Sequence, residues 1–312
     1  MCFGGKQHVV NFFSNYYNKT KQMEERPMTK TEEYPVIWLQ GAGCSGCSVS
    51  VLNSESPTIK NLLIDEVIPG KHISLKFHPT VMAGQGEAAI EAMEETEKKG
   101  GYIVVVEGAI PKDSAYGAIG EQDGKPISIL SRLTSLAEKA LAVIALGTCA
   151  SFGGIPAGSP NPSGCLSVSQ ALKSKNIATP VINIPGCAPH PDWFVGTVAS
   201  ILLLGLPKPE DLDDFGRPKA FYGKLIHENC PRRAYYDEKK FAKKLSDPGC
   251  LYELGCKGPV TYADCPLRLW NGGINWCIQS GGMCIGCVEP GFPDLVSPIY
   301  EKMNTEPAEK EV

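Results

Sequence analysis

The sequence predicts an α/β fold, with a doubly wound parallel sheet followed by a loop-rich, cysteine-dense C-terminal domain. Three observations carry this. Short apolar runs recur from Tyr34 to Ile184, and helical patterns separate them. Several of the runs, such as YIVVV at 102–106, are apolar throughout, as strands covered on both faces are. Past about residue 208 the alternation stops, and seven of the 13 cysteines follow.

The elements follow in order. Residues 1–33 are a polar extension in which Val9, Val10, Phe12, Phe13, Tyr16 and Tyr17 fall on one helical side, the pattern of a docking element. Tyr34–Leu39 predicts a strand, a Gly-rich turn follows, and Ser48–Leu52 can open a helix. Pro57 at a first helical position predicts a helix from Ser56 to Glu66. Ile73–Phe77 reads as a strand, and Glu87–Lys99 as a helix stopped by Gly100 and Gly101. Tyr102–Val106, Leu141–Leu146 and Pro180–Ile184 read as strands; Leu130–Lys139, Leu166–Lys173 and Asp192–Leu204 read as helices. Alternation of this kind predicts flavodoxin-like topology over residues 34–207. Pro207, Pro209 and the acidic run Asp211–Asp214 mark the boundary to a third segment, 208–312. Gly and Pro punctuate that segment, so little apolar burial is expected there and metal centres are expected to hold it together.

Composition narrows the function. A net charge of −4 and a pI near 5.8 leave no basic excess to meet phosphates, which argues against nucleic-acid binding. The longest apolar candidate, Phe194–Leu206, is too short to span a bilayer. No secretory signal pattern and no twin-arginine pair precede Trp38, so the cysteines are expected to be metal-bound thiolates in a reducing, cytoplasmic setting.

The cysteines sort by position. Cys44 and Cys47 follow the first strand on a Gly-rich turn, Cys149 follows Leu141–Leu146, and Cys187 follows Pro180–Ile184. All four lie past strand carboxyl ends, the edge where such sheets bind ligands. Four thiolates suit zinc or an iron–sulfur cluster, and isolated, glycine-flanked cysteines on separate loops fit a cluster better than paired zinc knuckles. Eight further donors divide in sequence into two sets of four: His227, Cys230, Cys250 and Cys256, then Cys265, Cys277, Cys284 and Cys287. Cys165 fits no strand end and reads as a non-ligand; Cys2 is unassigned. No GxSxG, HExxH or Walker motif is present, so the chain reads as a conductor of electrons.

The stretches WLQGAGCSGCSVSVLN (38–53), VVEGAIP (105–111), GTCASFGGI (147–155), PGCAPHPDW (185–193), IHENCPRR (226–233), GCKGPVTYADCP (255–266) and GGMCIGCVEP (281–290), together and in order, resemble the small, electron-transferring subunit of nickel–iron hydrogenases. The resemblance runs from about Pro35 to Val296. It implies a proximal 4Fe–4S cluster on Cys44, Cys47, Cys149 and Cys187, and a distal 4Fe–4S cluster on His227, Cys230, Cys250 and Cys256. It implies a medial cluster on Cys265, Cys284 and Cys287. Cys277 stands where well-known members carry a proline and is expected to complete a medial 4Fe–4S site in place of a 3Fe–4S one.

The nickel–iron centre of the family sits on a separate large subunit, so an obligate partner is implied, with reversible cleavage of dihydrogen on that partner. The surface around Cys44, Glu107 and Cys187 is expected to be apolar and covered by it. An external acceptor protein or carrier is implied, and Arg232 and Arg233 offer it a docking patch unless they are simply solvated. A dimer of heterodimers and membrane association through partners are compatible with the sequence. Gly46 and Gly154 occupy the positions where oxygen-tolerant relatives carry two extra proximal cysteines, so an ordinary proximal cluster is expected. Three alternatives remain at this level: a hydrogen-sensing regulatory hydrogenase, a cluster-binding subunit of a quinone-reducing complex, and a zinc-stapled structural protein.

Overall fold

A computed structural model describes residues 32–63 and 70–302. The apolar stripe at residues 9–17, Cys2 and the end of the helix expected to reach Glu66 lie outside the described residues.

Five strands build the main sheet: β1 (Glu32–Gln40), β2 (Lys71–Phe77), β3 (Ile103–Glu107), β6 (Ala142–Leu146) and β7 (Val181–Ile184). Their order is β2-β1-β3-β6-β7, and the pairs β1/β3, β3/β6 and β6/β7 are parallel. This is the doubly wound order expected from the sequence. Successive side chains point to opposite faces. Val36, Trp38, Ile103, Val105, Ile144 and Ile184 therefore enter one hydrophobic cluster, and Ile37, Leu39, Val104, Val106, Val143 and Ala145 enter the other. Helices α1 (Gly46–Leu52) and α7 (Pro191–Leu204) cover the first face; α3 (Gly86–Lys99), α4 (Ile129–Lys139) and α6 (Val168–Lys173) cover the second. Both faces are closed, so truncating a core residue such as Leu133 to Ala costs about 2–5 kcal/mol.

Local chemistry sets the element ends. Ser128 accepts from Ser131 N at 3.0 Å to open α4, and Ser167 with Gln170 forms a capping box at α6. Gly100, at φ 71°, ends α3. The helix expected from Ser56 begins later, as α2 (Ile59–Leu63), and Pro57 stands before it. Thr58 takes the cap position instead, its hydroxyl accepting from Asn61 N at 3.3 Å. Two elements were not expected. A hairpin, β4 (Ala118–Gln122) with β5 (Lys125–Ser128), turns at Asp123 and Gly124, both at positive φ. A single-turn helix, α5 (Thr148–Phe152), starts directly after β6.

Residues 208–302 hold only short helices: α8 (Lys219–Tyr222), α9 (Arg233–Asp237) and α10 (Cys265–Arg268), with isolated 3₁₀ turns. The expectation of little apolar burial here is corrected. Ile226, Leu251, Trp276, Ile278, Met283 and Val288 join the same hydrophobic cluster as Trp38, Ile144 and Trp193. Polar ties reinforce it. Trp193 Nε1 donates to Asp264 at 2.7 Å, and the Tyr222 hydroxyl donates to the Pro185 carbonyl at 2.8 Å. Buried Arg217 bonds Asp213 at 2.7 Å and Glu289 at 3.2 Å. Removing one partner of such a buried pair costs about 3–5 kcal/mol.

Candidate metal centres

The carboxyl ends of the parallel strands gather the first four cysteines. Gly41 N donates to the Glu107 carbonyl at 2.7 Å, and Ala42 and Ala109 exchange backbone bonds of 2.8 and 2.7 Å, which lays the Cys44 loop across the end of β3. Gly108 permits that approach: at φ 88°, a Cβ there would lie 2.8 Å from the Gly41 carbonyl carbon. Cys47 sits in the first turn of α1, Cys149 in α5, and Cys187 in the loop after β7. Burial pushes the Cys47 thiol up, and Glu107, Cys149, Cys44 and Cys187 push it further in that order, so all four thiols share one electrostatic site. Burial and then Cys187 push Cys149 up to about 11.

Glycines clear the space between these sulfurs. A Cβ at Gly147, which has φ 88°, would lie 2.4 Å from Cys47 Sγ. One at Gly154 would lie 3.0 Å from Cys149 Sγ, and one at Gly46 would lie 3.2 Å from Cys44 Sγ. A bulky inorganic group suits the cleared site. Beside it lies a carboxyl group that the sequence alone placed on an apolar surface. Glu107 is instead buried, 1% exposed, beneath the site. It accepts from Trp38 Nε1 at 3.2 Å, Gln40 Nε2 at 3.0 Å, Ser48 N at 3.0 Å and the Ser48 hydroxyl. His78 Nδ1 accepts from Thr80 N at 3.1 Å, so its Nε2 carries the proton and faces the Ser48 hydroxyl at 3.2 Å. The VVEG run carried no sign of this network, because Ser48 and His78 are supplied by other elements.

His227, Cys230, Cys250 and Cys256 line one pocket, with Tyr252 and Ile278. His227 is buried and its Nε2 has no hydrogen-bond partner. An orphaned buried nitrogen is costly unless a ligand completes it. Burial first, and Arg233 second, hold the imidazole down at about 4, the neutral form that ligates metals. Its ring packs edge-on against Tyr236 at 4.4 Å. The two arginines make different contacts. Arg232 turns inward and donates to the Gly249 carbonyl at 2.9 Å, while half-exposed Arg233 pairs with Asp237 at 2.8 Å.

The remaining four also converge. Burial, then Cys287 and Cys277, push the Cys265 thiol up; burial, then Cys277 and Cys187, push Cys287 up to about 12 against opposing backbone N–H groups. Cys277, exposed, thus faces both Cys265 and Cys287. Cys284 is buried, and its strongest charged neighbour is Cys256. The three sets therefore adjoin in series. Cys287 meets Cys187 of the first set, and Cys284 meets Cys256 of the second. Cys165 stays apart in the turn at 161–165, its sulfur 3.1 Å from the Ser163 hydroxyl. Among the described residues, no three His, Cys, Asp or Glu side chains are set to grip a single ion. No described helix is long and apolar enough to cross a membrane.

Comparison with known proteins gives these sites a context. Residues 222–300 match the family described as the C-terminal part of the NiFe/NiFeSe hydrogenase small subunit, and residues 44–201 match the NADH ubiquinone oxidoreductase 20 kDa subunit family. The periplasmic NiFeSe hydrogenase small subunit of Desulfomicrobium baculatum is 49% identical over 280 residues, covering 85% of this chain and 86% of that protein. The periplasmic NiFe hydrogenase small subunit of Solidesulfovibrio fructosivorans is 42% identical, covering 88% and 84%. A crystal structure of the reduced, active NiFeSe hydrogenase from Desulfomicrobium baculatum superposes with a TM-score of 0.81 at 48% identity, covering 87% of this chain and 100% of that chain. The chain belongs to the nickel–iron hydrogenase small-subunit family, whose role is to conduct electrons through iron–sulfur clusters for the dihydrogen-converting enzyme.

Proposed function

We propose that this chain holds three 4Fe–4S clusters in series. The proximal set is Cys44, Cys47, Cys149 and Cys187; the medial set is Cys265, Cys277, Cys284 and Cys287; the distal set is His227, Cys230, Cys250 and Cys256. The observation that carries this reading is the adjacency of the sets in that order, Cys187 beside Cys287 and Cys284 beside Cys256. When bound, such clusters take up and release single electrons over a wide range of potentials. The chain's own residues do the rest. Glycines 46, 147 and 154 keep side chains out of the first site, Glu107 ties the Ser48 N–H beneath it, and His227 presents a neutral nitrogen.

The reaction itself, reversible cleavage of dihydrogen at a nickel–iron centre, belongs to a large subunit that docks against the Cys44 and Cys187 loops. An external acceptor draws electrons near His227. A cytoplasmic location, and a dimer of heterodimers, are kept as proposals against the periplasmic names of the relatives; cell fractionation and sedimentation of the complex measure both. The likeness of residues 44–201 to the quinone-oxidoreductase subunit supports a second reading, a one-cluster subunit. That reading leaves eight C-terminal donors without a task.

The test is to purify the chain with its partner and assay iron, sulfide and zinc. About twelve irons per chain, equimolar sulfide and no zinc are expected. Four irons would favour the second reading, and zinc in place of iron would favour a structural protein.

A further inference from the structure

We infer that the Thr148 hydroxyl clamps the junction across which electrons pass between the first ligand set and Cys287. Thr148 is 1% exposed and stands next to Cys149. Its hydroxyl donates to the Cys287 carbonyl and accepts from Gly186 N at 2.9 Å, while its own N–H donates to the Gly186 carbonyl at 3.1 Å. One side chain thus joins three separate segments: the end of β6, the loop carrying Cys187, and the last CxxC. The other junction has a counterpart in Thr261, whose hydroxyl donates to the Lys257 carbonyl at 2.6 Å and lies 3.6 Å from the Cys284 sulfur.

The consequence is electronic as well as structural. Electron tunnelling falls off steeply through empty space and less steeply along bonds, hydrogen bonds included. The Cys149–Thr148 peptide and the Thr148–Cys287 hydrogen bond make a continuous bonded route between the two residues, and Cys187 adjoins Cys287 beside it. A β-branched side chain has few rotamers, so this route is held in one geometry. The step moves one electron from the first set to the third. Dihydrogen oxidised on the partner supplies it, the external acceptor removes it, and no bond or proton is exchanged at Thr148. Thr148 is therefore a positioning residue. The inference rests on the three-cluster reading above.

Thr148→Val keeps the volume and removes the hydroxyl. In the purified complex with the large subunit, iron content and hydrogen–deuterium exchange at the partner should match the unsubstituted protein, since neither needs transfer between sets. After a pulse of dihydrogen, freeze-quench EPR should show reduction of the medial signal slowed about tenfold, with altered magnetic coupling between proximal and medial spins. Thr148→Ser should restore both. If Thr148→Val does not assemble, Thr148→Ala is read by the same criteria. Unchanged coupling and an unchanged rate in a fully loaded Val or Ala variant would overturn the clamp. Absence of iron–sulfur signals from the unsubstituted complex would instead overturn the three-cluster reading.

Discussion

The backbone N–H of Lys257 donates to the Cys284 carbonyl at 2.8 Å, so the residue after Cys256 is bonded directly to a member of the neighbouring cysteine set. The Lys257 side chain is itself buried, its ammonium donating to the carbonyls of Glu301 at 2.7 Å and Pro298 at 3.3 Å. Burial holds its pKa down. Lys257→Met removes these charge-assisted bonds and releases the 298–301 turn. A loss of about 1–3 kcal/mol is expected, read by thermal unfolding of the complex. An unaltered melting temperature would show that the carbonyls find other donors.

Cys277 faces Cys265 and Cys287. With Cys277→Pro the third set keeps three thiolates and loses one corner. Iron should fall from about twelve to about eleven per chain, and the oxidised complex should gain the signal of a three-iron cluster. A substituted complex with full iron and no such signal would assign Cys277 a merely space-filling role.

His227→Ala removes the one nitrogen donor of the second set, whose Nε2 has no other partner. Electron delivery to an external dye should slow about tenfold or more, with hydrogen–deuterium exchange on the large subunit intact. Unchanged dye reduction together with unchanged spectra of the distal cluster would remove His227 from the set.

His190 supplies a pH dependence that involves no ligand. It is buried, its Nδ1 accepts from Asp192 N at 3.1 Å, and its Nε2 lies 2.6 Å from the Leu269 carbonyl. Burial lowers its pKa from 6.5, so the unfolded chain binds a proton that the folded chain refuses. Stability from this group is complete above pH 6.5 and declines as the pH falls below it. Melting temperature measured from about pH 8 to about pH 5 should drop at the acid end, and His190→Gln should flatten the drop. A parallel profile in the variant would place the acid sensitivity elsewhere.

The sheet was legible in the sequence because burial on both faces leaves its mark residue by residue: Ile103–Glu107 and Ala142–Leu146 are buried at every position, and all but Glu107 read as unbroken apolar runs. The β4–β5 hairpin was missed because its strands are largely exposed and carry no apolar alternation; the Asp123-Gly124 pair was its one local signal. The cysteine positions at strand ends were likewise readable, since parallel topology dictates where β6 and β7 terminate. Local sequence therefore determined the five strands of the main sheet and the edge on which the first four thiols gather. Only the tertiary structure decided how the sets join. Thr148 meets Cys287 across 139 positions, and Glu107 meets Ser48 across 59. It also decided that Arg232 turns inward while Arg233 pairs with Asp237, and that the loop-rich segment shares the core of the sheet. Contacts of long separation arise when whole elements pack, and no periodicity or spacing within a window of sequence encodes them.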